Sequence, residues 1–104
     1  MVYRIIIDPT AKLDITDSID WYNNVQPGLG IKFYKQVQTL FKSLSKNPTA
    51  FPIRYKDCHT ALIKKFPYMV HYSIDTEKEM VIVSSILHMS RDPKIWDERT
   101  NKLT

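Results

Sequence analysis

The 104-residue sequence predicts an α+β domain: an N-terminal strand, an antiparallel helical hairpin packed on one face of a mainly antiparallel sheet, and a short C-terminal helix. Three observations predict it. Phe66–Ile74 alternates Phe66, Tyr68, Val70, Tyr72 and Ile74 against Pro67, Met69, His71 and Ser73, the period of two that a half-buried strand requires. Two stretches before it carry apolar residues at helical spacing, with Pro27-Gly28-Leu29-Gly30 between them. The last apolar run follows the polar Asp75-Thr76-Glu77-Lys78, which reads as a hairpin turn.

Taken in order, Val2–Asp8 alternates Tyr3, Ile5 and Ile7 against Val2, Arg4 and Ile6 and predicts a first strand. Pro9 stops it, and Asp8 or Thr10 is placed to cap a helix. From Ala11 to Val25 the residues Ala11, Ile15, Ser18, Ile19 and Tyr22 share one helical face, which leaves Asp14, Asp17 and Asp20 for the exposed side. After the Pro-Gly break, Leu29, Phe33, Val37, Leu40, Phe41 and Leu44 form a second stripe that ends at Asn47-Pro48. So short a link predicts antiparallel helices. Trp21, Tyr22, Phe33 and Phe41 are expected in the helix–sheet core. Phe51-Pro52 closes a loop, and Ile53–Ile63 predicts a weaker strand with Arg54 and Lys56 on one face.

In the final strand Val81, Val83 and Leu87 alternate with Ile82, Ser84 and Ile86; apolar residues on both faces predict an interior position. Asp92-Pro93 opens a last helical turn through Trp96 and Arg99. Strand parity then leaves the sheet face opposite the helices partly open, presenting Met69, His71, Arg54 and Lys56.

The length predicts a single domain over residues 1–104. No apolar run approaches the roughly 20 residues that span a bilayer, so no membrane partner is expected. The N-terminus shows no basic segment followed by a long apolar core, which predicts no secretion signal. A lone Cys58 excludes an intrachain disulfide and fits a reducing cytoplasm. His59, His71 and His88 lack a zinc-like spacing, and no metal or cofactor is expected. The net charge of +4 is concentrated: residues 26–74 hold eight Lys or Arg against Asp57 alone. A basic middle points to an acidic partner, nucleic acid or an acidic protein segment; the competing reading is that Lys32, Lys35, Lys42 and Lys46 solvate the outer face of a helix.

Several motifs coincide along the chain. They are Asp14-Ile15 before Trp21-Tyr22, Pro27-Gly28-Leu29-Gly30, Asn47-Pro48, Phe51-Pro52, Phe66-Pro67-Tyr68, and His88-x-x-Arg91-Asp92-Pro93-x-x-Trp96. Together they resemble the RelE/ParE family of toxins from type II toxin–antitoxin systems, known also as plasmid-stabilisation or addiction modules, from about Ala11 to Arg99. The resemblance implies a bacterial cytoplasmic toxin held inactive in a hetero-oligomer by a cognate antitoxin. It implies one of two targets, DNA gyrase or mRNA on the ribosome. The ribonuclease branch places basic residues along the strand before Phe-Pro-Tyr and just after its Tyr. Here Thr60, Leu62 and Met69 stand at those positions, and none can neutralise a phosphate. His59 stands where many relatives carry an Arg.

The expectation is therefore a ParE-like inhibitor of gyrase. The alternatives are an endoribonuclease with a rearranged site or a degenerate, non-toxic relative that only binds its antitoxin and operator DNA. For the ribonuclease, His88 would move a proton near neutral pH, while Arg91 and Arg54 would hold the phosphate. Lys56, His59 and Trp96 would extend the binding surface, Trp96 by stacking. Against this, His88 could fix its turn by hydrogen bonding, Arg91 could pair with nearby acids, and Trp96 could pin a terminal helix.

Overall fold

The computed structural model describes residues 2–89. β1 (Arg4–Ile7) leads into α1 (Pro9–Val25), α2 (Leu29–Lys46) and a single 3₁₀ turn at Pro48–Ala50. β2 (Ile53–Tyr55), β3 (Cys58–Leu62), β4 (Tyr68–Asp75) and β5 (Met80–His88) follow. The sheet order is β1-β5-β4-β3-β2, with β1 parallel to β5 and every other pair antiparallel. This is the α+β architecture expected, with the last long strand inside the sheet. The predicted C-terminal helix, with Arg91 and Trp96, lies outside the described residues. No described helix is long and apolar enough to cross a membrane.

Asp8 caps α1, its carboxylate accepting the Thr10 N–H at 3.0 Å with Pro9 in the first turn, as proline's missing N–H allows. Ala11, Ile15, Ser18 and Tyr22 face inward from α1, and Phe33, Val37, Leu40 and Leu44 from α2. They pack on Ala61, Tyr68, Val70, Tyr72, Val81, Val83 and Ile86. At one end four rings interlock. Tyr22 meets Phe66 and Phe33 meets Phe66 at centroid separations of 5.0 and 5.2 Å, and both also contact Tyr68. The steep interplanar angles set ring edges against ring faces, which adds to simple area burial.

The helices approach closely where Gly30 meets α1. A Cβ there would lie 2.5 Å from the Ile19 carbonyl oxygen and 2.7 Å from Asn23 Cγ, while the Gly30 N–H donates to Asn23 Oδ1 at 2.9 Å. Gly28 serves differently: its φ of 91° turns the chain between the helices, and a Cβ would meet nothing within 4 Å.

The structure corrects the sequence reading of several elements. The first strand is shorter than Val2–Asp8, and the hairpin turn runs over 76–79 rather than 75–78. The stretch Ile53–Ile63 is two strands, because Lys56 enters the left-handed region at φ 48° and reverses the chain. Lys56 thus sits in a turn. Trp21 is 47% exposed, on the outer side of α1. Asp14 is half-buried: β1 covers β5 only as far as Val83, and Asp14 Oδ2 accepts the Ile86 N–H at 2.9 Å where no strand does.

A further correction concerns β5. His71 pairs with Ser85 but Tyr72 pairs with Val83, so Ser84 is an extra residue, a β-bulge. Past it the facing of side chains inverts. Ile86, not Leu87, joins Val81 and Val83 in the core.

Gly30→Ala should destabilise the fold by about 2 kcal/mol, lowering the melting temperature by roughly 10 °C. Gly28→Ala should cost about 1 kcal/mol through its backbone alone. Asparagine tolerates the left-handed region, so thermal denaturation should show partial recovery in Gly28→Asn and none in Gly30→Asn.

Candidate functional site

The residues singled out from the sequence fall on three parts of the sheet. Arg54, in β2, is exposed, and its Nη1 lies 3.8 Å from Met69 Sδ. That contact puts the guanidinium on the face turned away from the helices. His88 ends β5 opposite Tyr68, and the two rings meet edge to face at 5.2 Å. Tyr68 belongs to the helix-side core. The bulge at Ser84 therefore carries His88 to the face opposite the one Arg54 reaches. These two candidates do not converge on one point.

His59 is buried rather than at the surface. Its Nδ1 lies 2.7 Å from the Phe51 carbonyl oxygen, and its ring stacks on Tyr72 at 5.0 Å. A ring held on both sides in this way anchors the β2–β3 hairpin and is not available to a macromolecular target. Lys56 remains exposed beside a shallow pocket of about 240 Å³ lined by Tyr55, Lys56, Asp57, Cys58, Ser73 and Ser84.

The open, cationic face expected opposite the helices is closed over its central rows, whose described side chains include no Lys or Arg. Thr60, Met69, His71, Ser85 and Leu87 are all buried there, His71 completely. The strand pairings align Thr60, His71 and Ser85 in one row and Leu62, Met69 and Leu87 in the next. The Tyr55 hydroxyl lies 2.9 Å from His71 Nδ1, and the Ser84 hydroxyl donates to the His71 carbonyl. Of the three positions where ribonuclease relatives carry basic residues, Thr60 and Met69 are buried and Leu62 is 52% exposed. The Tyr55–His71 pair escaped the sequence reading because it joins strands 16 residues apart.

Burial pushes the Cys58 thiol up from its ordinary range, opposed by hydrogen bonds from the Tyr55 side chain and the Tyr72 backbone. Such a thiol is a poor nucleophile at neutral pH. Tyr72 is pushed up to about 12, first by burial and then by the neighbouring Cys58. Its hydroxyl donates to the Pro48 carbonyl at 2.6 Å, so the neutral form suits the site.

The sequence matches a family model described as "ParE toxin of type II toxin-antitoxin system, parDE" over residues 5–93. The chain belongs to the ParE toxin family. Among solved structures, this ParE-family chain is similar to the chromosomal ParDE system from P. aeruginosa, with a TM-score of 0.74 at 13% identity, covering 86% of this chain and 98% of that one. It is similar to the isolated E. coli RelE toxin, with a TM-score of 0.65 at 19% identity over 98% of this chain and 99% of that one. The RelBE2 toxin–antitoxin complex from Mycobacterium tuberculosis gives a TM-score of 0.60 at 22% identity, over 85% and 99% of the two chains. At these identities the likeness is one of fold. A comparison with curated proteins finds no match.

Two outcomes follow from the buried groups. Cys58 in the folded protein should react with a thiol reagent at pH 8 at least ~10-fold more slowly than in denaturant, as absorbance of the released chromophore would report. The unfolded Tyr72 phenol ionises near pH 10 while the folded one holds its proton to about 12. Below pH 10 neither form is charged; between 10 and 12 the unfolded state gives up its proton first, so stability falls as pH rises. Urea midpoints at pH 9 and 11.5 should show that fall, and Tyr72→Phe should reduce it.

Proposed function

We propose that this ParE-family chain is a bacterial cytoplasmic toxin that arrests growth by binding DNA gyrase, without chemistry of its own, and is neutralised by a cognate antitoxin. The observation that carries this reading is the burial of the sheet face where Thr60 and Met69 stand, with no Lys or Arg among the described side chains of its central rows. RNA cleavage by 2′-OH attack needs a proton donor, a proton acceptor and a cation around one phosphate. Buried threonine and methionine supply none of these, and Arg54 and His88 occupy opposite faces. The family match supports a ParE-like action. The antitoxin is supported by the similar ParDE, RelBE and RelBE2 systems, which are toxin–antitoxin complexes or systems. A hetero-oligomer with the antitoxin is the resting form in this reading.

One contact favours a second reading. The Arg54 guanidinium lies beside Met69, so a cation from β2 stands next to the position where ribonuclease relatives carry one on β4. In that reading Arg54 and Arg91 hold the phosphate and the target is ribosome-bound mRNA, while His88, on the helix side of the sheet, does not reach the Arg54 face.

Purified chain should inhibit gyrase supercoiling and leave mRNA on programmed ribosomes intact. Arg54→Ala and His88→Ala should still arrest growth on induction. Cleaved mRNA with undisturbed supercoiling, and loss of toxicity in Arg54→Ala, would instead establish the ribonuclease. Harmless overexpression of the unaltered chain would overturn both readings and leave an antitoxin-binding relative.

A further inference from the structure

α2 carries a feature that neither target explains. Lys32, Lys35, Lys42 and Lys46 are exposed, and the helix from Leu29 to Lys46 contains no acidic residue. With Thr39 they recur at alternating steps of three and four residues, which places them in one row along the outer side, opposite Phe33, Val37, Leu40 and Leu44. At the helical rise, Lys32 and Lys46 stand about 21 Å apart. At the N-terminal end of the row the chain brings in a fifth cation. Lys65, turned outward at φ 72°, joins Lys32, Lys35 and Gln36 around a cleft of about 420 Å³ floored by Leu29 and Phe66. The positive end of the α2 dipole adds to the field there.

We propose that this lysine row is a docking surface for the phosphate backbone of duplex DNA. Past Tyr34, the exposed residues interspersed with the lysines, Gln38, Thr39 and Ser43, are all polar. A protein partner would find apolar and aromatic anchors only toward the N-terminal end of the row, at Ile31, Tyr34, Leu29 and Phe66, and protein interfaces deplete lysine at their centres. Phosphates need no such anchor. Flexible ammonium groups without a fixed fork suit sequence-independent backbone contacts. A row of about 21 Å exceeds the roughly 12 Å width of the major groove, so its two ends reach phosphates on both walls. The surface lies on the helical layer, away from the sheet face that Arg54 reaches, and does not depend on which target the toxin inhibits.

The test is fluorescence anisotropy of the full chain with a labelled duplex of about 30 base pairs of arbitrary sequence, titrated across salt. Five phosphate contacts predict a slope of log K against log salt near −4.5, so binding weakens about 500-fold between roughly 50 and 200 mM. Each of Lys32→Gln, Lys35→Gln, Lys42→Gln and Lys46→Gln should reduce the slope by about one, while Lys12→Gln and Lys78→Gln should not. Circular dichroism would confirm that the variants fold. Absent binding at low salt, or row variants that bind like the unaltered chain, would overturn the proposal. So would poly-glutamate displacing the duplex at equal charge concentration, since the surface would then be selecting an acidic protein segment.

Discussion

One unpaired residue decides how this sheet displays its side chains. Ser84 stands in β5 opposite no residue of β4, and the strand resumes alternation one step out of phase. Without the bulge, Leu87 would face the helices, and Ile86 and His88 would face the other way. With it, Ile86 completes the core, and His88 meets the Tyr68 ring. The bulge holds its place through the Ser84 hydroxyl, which donates to the His71 carbonyl across the strand pair. It lies just past Val83, where β1 stops covering β5, and Asp14 supplies the acceptor that a longer β1 would have provided.

The helical hairpin depends on a different constraint, the lack of a side chain at Gly30. That lets α2 approach the Ile19 carbonyl, and Asn23 then ties the two helices together. The approach carries Phe33 and Tyr22 onto Phe66 and Tyr68, where the hairpin meets the entry to β4. Tyr72 extends the same layer to the Pro48 carbonyl and to the His59 ring. His59 is thereby a structural member of the β2–β3 hairpin, although its place in the sequence pointed to a surface role.

Charge is divided between the two layers. The sheet's outer face has buried central rows without a described Lys or Arg, with Arg54 reaching Met69 from β2. The helical layer carries the lysines of α2, extended by Lys65. Among the described residues that face brings together no acid, base and cation, whereas a row of like charges stores field without needing precise geometry. Recognition of an anionic surface asks only for the second of these.

Among the described residues, the sequence by itself determined the element types and their order apart from the turn that splits β2 from β3, the two helical stripes, the interior place of the last strand and the family. All of these are local patterns: periods of 2 and 3.6, turn residues, and motifs read along the chain. It also marked the α2 lysines, since a helix's outer face follows from its inner one. Only the tertiary structure decided the fate of Asp14, His59, Met69 and His71, and the face on which His88 lies. Parity fails across a bulge because one inserted residue inverts every later assignment while leaving composition unchanged. Burial of Met69 and His71 depends on what packs over the strand, and Tyr55 and Arg54 arrive there from a strand some 15 residues earlier. No local pattern carries that information, because alternation along one strand says which residues share a face but not what the rest of the chain places upon it.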